Sequence, residues 1–233
     1  SIVSVYEKDG SSYKFLGEIG QLYNVTDVQF IPIPDLGYDM ITLREYSNQN
    51  IGSYEENSFI RGYVYEDDKF ELVLNILEST ISNWNTAWDI PGMTEPSWMR
   101  ILQSSKSVFK GPGPLRIETE YKQTLQESSD KTTKNIPADD TFSDVSSRRL
   151  TETLYWDNEF KTFILYKMIL NETGETVAVV NDYSTSAYTL TDIGENVANF
   201  RRIKRMNGEL SVVTADSLSE PEKAESVFKI SRF

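Results

Sequence analysis

Cysteine and histidine are both absent from this chain of 233 residues. Their absence removes disulfides, thiol nucleophiles, Cys/His zinc centres and any Ser-His-Asp triad. Acid–base chemistry would fall to Asp, Glu, Lys or Tyr. It leaves the redox compartment open, since a disulfide-free exported protein and a cytosolic one look alike here. No run of about 18 apolar residues occurs, so the sequence contains no membrane-spanning helix. Positive charge is scarce as well. Lys and Arg number 23 against 36 Asp and Glu, for a formal charge of −13 and a pI near 4.5. Such a field repels phosphate backbones, which makes nucleic acid and anionic membranes poor partners.

What is present is aromatic and apolar. There are 13 Tyr, 11 Phe and 4 Trp, enough large side chains to anchor a β core. Apolar residues make up 39 % and charged residues 25 %, the balance of a globular chain rather than a disordered one. The length suits one β-rich domain over 1–233.

A short phrase recurs four times: an apolar or aromatic run, a turn of Asp, Asn or Gly, then a second run. The copies centre on Asp9-Gly10, Asp67-Asp68, Asp157-Asn158 and Asn207-Gly208. Strand, tight turn, strand is the reading, because Asp-Gly and Asn-Gly supply the left-handed positions that two-residue hairpins need. The expected fold is mainly β and antiparallel, built from hairpins. It is either propeller-like or a two-sheet sandwich or barrel, with one to three short helices. Two pseudo-repeated halves, about 1–80 and 148–233, would flank a Trp-containing segment and a polar loop at 126–147. One short helix is expected from about Glu95 to Ser104, since Thr94-Glu95-Pro96-Ser97 looks like a helix start.

The four phrases resemble, over about a quarter of the chain, the blades of integrin-type propellers. Those blades carry a calcium loop of the Asp-x-Asp-x-Asp-Gly kind, and this sequence has none. The resemblance therefore identifies no family.

The candidate ligand site is Trp84, Trp88, Asp89 and Trp98. Flat rings beside amides and carboxylates suit a sugar, whose apolar faces stack while its hydroxyls bond. The same Trp residues are equally core anchors. Asp130, Asp139, Asp140 and Asp144 offer oxygens to calcium, but their spacing matches no known loop. We expect no catalytic residue, no metal ligand and no cofactor. Glu118 and Glu120 share one face of a strand, which is also what a solvated face looks like. Arg148-Arg149 and 201–205 are the basic clusters, suited either to pairing with nearby acids or to an anion or partner.

Nothing in the sequence singles out one function. The expectation is an extracytoplasmic domain, secreted or carried on a lipid anchor upstream of Ser1. It would be a non-catalytic binding or scaffold domain for an unknown protein or carbohydrate. The alternatives are a carbohydrate-binding or carbohydrate-active protein using the Trp segment, and an assembly protein that pairs through strand edges.

Overall fold

In a computed structural model, residues 1–33, 37–51, 53–88, 96–111, 115–131, 134–170, 176–182, 185–191, 201–206, 210–214 and 228–231 are described. The chain is mainly β and antiparallel, as the hairpin phrases predict.

Eight strands form one sheet in sequential order. They are β3 (Asn24–Ile33), β4 (Tyr38–Ile51), β5 (Ser53–Glu66), β6 (Lys69–Asn85), β7 (Trp98–Lys110), β8 (Arg116–Ser128), β9 (Phe142–Asp157) and β10 (Thr162–Ile164). This single meander is not divided into blades, and the sheet does not close into a barrel. A hairpin of β1 (Val3–Asp9) and β2 (Ser12–Ile19) stands apart from it. A further sheet joins β11 (Tyr166–Leu170), β12 (Thr176–Asp182), β13 (Arg201–Met206), β14 (Leu210–Thr214) and β15 (Phe228–Ser231).

All four predicted hairpins form. At Asp67-Asp68 both residues have positive φ, 50° and 61°, as a two-residue turn matched to strand twist requires. After β9 the Asp157 carboxylate accepts from the Glu159 and Phe160 amides, each at 3.0 Å, and nucleates the turn. The turn at Asn207-Gly208 lies outside the described residues, but β13 and β14 pair on either side of it.

Strands of 13 to 17 residues are far longer than the usual five or six. Two register shifts between β5 and β6 bend the sheet. β6 pairs with β7 only through Ser79–Asn85. Beside the rest of β6 sits β10, returned from the far edge. Thr162 Oγ1 donates to the Val73 carbonyl at 2.9 Å, and Lys161 pairs with Glu66. The main core fills the space so enclosed: Met40, Ile60, Leu74, Ile76, Ile117, Leu154, Trp156 and Phe163. Gly62 packs against this core, where a Cβ would stand 2.5 Å from Met40 Sδ and 2.9 Å from Leu74 Cβ. The β1–β2 hairpin lays Val3, Val5 and Ile19 over Ile41, Leu43 and Tyr63. Beside that layer the fully buried Glu45 accepts from Arg61 Nη1 at 3.1 Å and from the Tyr23 amide at 2.8 Å.

Two expectations need correction. The segment expected to be helical from about Glu95 to Ser104 is strand from Trp98 onward. Pairing with β6 on one side and β8 on the other overrides a cap signal carried by four residues. Among the described residues the helical turns are 3-10 in type, at Thr86–Trp88, Asp139–Thr141 and Ala187–Leu190. The polar stretch 126–147 is loop only in its middle, with strand at both ends. β8 runs to Ser128 and β9 starts at Phe142, which leaves a loop of 129–141. Its Ser and Thr residues are compatible with strands, and residues 143–147 of β9 are exposed, so polar side chains there cost little.

Candidate functional site

The two faces of the β7–β8–β9 ladder differ in burial and in how their charges are partnered. Cross-strand partners share a face and successive residues alternate, so register decides what each face carries.

One face is largely buried, and its charges include the Arg148 guanidinium and, two rows along β9, the half-buried Glu152 carboxylate. Gln103, Gln123 and Arg148 lie on adjacent strands and bond in series. Gln103 Nε2 donates to the Leu77 carbonyl at 2.8 Å, and Gln123 Nε2 donates to Gln103 Oε1 at 2.7 Å. Arg148 Nε donates to Gln123 Oε1 at 2.6 Å. Residues 185–191 cap this ladder. Arg148 Nη2 reaches the Ser186 carbonyl at 2.6 Å and Thr189 Oγ1 at 2.7 Å, and Gln123 reaches the Thr185 carbonyl at 2.7 Å. Tyr188 donates to Glu55, and burial together with that bond pushes its hydroxyl up to about 12. Burial works against the Arg148 charge and lowers its pKa.

The other face is an open groove of about 520 Å³. Ser104, Lys122 and Arg149 form one cross-strand row; Lys106, Glu120 and Thr151 form the next. All six residues are exposed. Lys122 and Arg149 stand directly opposite each other, an arrangement that destabilises a sheet. Lys106 faces Glu120 without forming an ion pair. Among the described residues none of Lys106, Glu120, Lys122 and Arg149 makes a hydrogen bond or salt bridge. Along the same ladder Glu118 differs: it bonds Lys110 and Arg116, and their hydrogen bonds hold its carboxyl below the usual range.

The Trp segment is placed otherwise. Trp98 is 1 % exposed. Its ring lies 6.4 Å from that of Tyr54. Trp84 is half-buried against Ile101, Leu125 and Ala187, and its indole N–H is buried without a partner. The two rings are therefore part of the packing between β5, β6, β7 and residues 187–190. The Trp88 side chain and Asp89 lie outside the described residues. The acids considered for calcium are drawn elsewhere. Asp139 pairs with Arg100 at 2.8 Å, and Asp144 accepts from Gln126 at 2.8 Å. No group of three or more acidic side chains close enough to hold a metal occurs among the described residues. No described helix is long and apolar enough to cross a membrane.

Of the groove, the sequence reading singled out Arg149 and Glu120 and missed Lys106 and Lys122. One signal was available. The Gly111-Pro112-Gly113-Pro114 breaker sits between β7 and β8, and a hairpin about it sets Lys106 against Glu120 and Ser104 against Lys122. No comparable turn sets β9 against β8. No family model, curated protein or solved structure matches the chain.

Proposed function

We propose that this chain is a non-catalytic binding domain whose ligand site is the β7–β9 groove, and that the ligand presents an anionic group to Lys122 and Arg149. The carrying observation is the pair itself. In a chain with 36 acids and 23 cations, two cations face each other on a sheet with no carboxylate on either. Unpartnered cross-strand cations cost stability, and a bound oxyanion would relieve that cost. The groove volume lies in the range of small-ligand sites. The frame suits display, since the ladder beneath is locked by Gln103, Gln123 and Arg148 on its far face. Export from the cytoplasm belongs to the same proposal, and fractionation of the native host tests it.

Titration with inorganic sulfate, followed by amide chemical shifts, tests the groove. The expected result is saturable shifts in β7–β9 that weaken with salt and are lost in Lys122→Gln and Arg149→Gln. Sulfate shifts elsewhere, or shifts indifferent to both substitutions, overturn the reading.

A further inference from the structure

Resting on that reading, we propose that the groove takes an acidic saccharide, a sugar unit carrying a carboxylate or sulfate beside free hydroxyls.

The two rows of the groove ask for different chemistry. The row of Ser104, Lys122 and Arg149 offers two cations and a hydroxyl. The next row, Lys106, Glu120 and Thr151, puts a carboxylate at its centre with a cation on one side and a hydroxyl on the other. Residues two apart on a strand are about 7 Å apart, roughly the width of one sugar ring with its substituents. A single ring can therefore set its acidic group on Lys122 and Arg149 and its hydroxyls on Glu120 and Thr151.

Glu120 separates this ligand from others that bear negative charge. A carboxylate accepts hydrogen bonds and donates none. It repels a ligand that is anionic along its whole length, such as a polyphosphate or a run of acidic residues. Toward a hydroxyl it is a strong partner, because a hydrogen bond to a charged acceptor is about twice as strong as a neutral one. The outward residues of the two rows include no aromatic ring, so a nucleobase finds no stacking partner among them. The groove volume of about 520 Å³ suits a disaccharide rather than a long segment of chain.

Calorimetric titration of the whole chain with digalacturonate, a monosulfated disaccharide, galactobiose, sodium sulfate and a short tetra-aspartate peptide tests this. Thermal unfolding of each variant is followed in parallel, since all the substituted side chains are exposed. We expect one or both acidic disaccharides to bind at least tenfold more tightly than galactobiose and more tightly than sulfate. Binding by digalacturonate alone assigns the acid as a carboxylate, and by the sulfated sugar alone as a sulfate. Arg149→Gln should weaken acidic disaccharide binding about tenfold or more. Glu120→Gln should act in opposite directions, weakening the disaccharide and strengthening sulfate. If sulfate binds as tightly as either disaccharide, and Glu120→Gln strengthens both, the saccharide inference fails while the anion site stands. Tighter binding of an acidic peptide than of both acidic disaccharides also overturns it. If nothing binds, both proposals fall.

Discussion

Arg148 and Arg149 are adjacent in sequence, and the fold predicts opposite consequences for their loss. Take Arg148→Gln and Arg149→Gln. Arg148 makes three hydrogen bonds: to Gln123 Oε1, to the Ser186 carbonyl and to Thr189 Oγ1. A bond to a charged group contributes about 1.5–3 kcal/mol, but these three share one guanidinium and do not add. We work with about 3 kcal/mol, which for a chain of this size lowers Tm by roughly 6–12 °C. The loss is also local. Residues 185–191 would be left without their cation, so the amides of Thr189 and Thr191 should exchange faster with deuterium. Arg149 is exposed and unbonded, so its loss should stay within about 0.5 kcal/mol. Relief of the opposition to Lys122 can even make it slightly stabilising. Differential scanning fluorimetry and hydrogen exchange on the two proteins read both effects. Equal destabilisation by the two substitutions would refute the assignment of faces on β9, and the groove with it.

Glu45→Ala leaves Arg61 beside a buried void and orphans the Tyr23 amide, so urea denaturation should register a loss of about 3–5 kcal/mol. Gly62→Ala forces its Cβ against Leu74 Cβ, which cannot swing away as Met40 can, and should cost about 1–3 kcal/mol in the same assay. Tyr188, raised by burial and then by Glu55 to about 12, contributes stability that is complete well below pH 10, the midpoint at which an unfolded tyrosine ionises. That contribution is lost as pH climbs from 10 through 12. Absorbance titration against a Tyr188→Phe reference should show the late tyrosine, and Glu55→Gln should bring it earlier; an unchanged titration would discount the bond. Asp67→Asn with Asp68→Gly relieves two left-handed aspartates and should stabilise by about 0.5–1 kcal/mol.

Much of the fold was legible wherever the signal was local. Asp9-Gly10, Asp67-Asp68 and Asp157-Asn158 each mark a turn by the conformations those residues accept. The failures are non-local. The segment from Trp98 carries a plausible cap before it, but the strand forms because Met99 finds Trp84 on one side and Glu127 on the other. Periodicity cannot register a neighbour 28 residues away. The same limit hid the site. Lys122 and Arg149 meet through a β8–β9 register set across a loop and a bulge, so their opposition is a property of the sheet. Trp84 and Trp98 attracted attention as rings near amides, and composition alone does not separate a stacking platform from packing. Trp98 is buried beside Tyr54.

The return of β10 to β6 has a consequence for synthesis on the ribosome. Neighbours in the meander are neighbours in sequence, so β3 to β9 can zip as each hairpin emerges. The contacts that seal the core cannot. Thr162 lies 89 residues beyond Val73, and Lys161 lies 95 beyond Glu66. Until that stretch has been translated, Ile60, Leu74 and Ile76 lack Phe163, their cover from the far edge. A nascent chain of this design waits with an apolar sheet face open, and ordering so distant a contact makes the closing step slow.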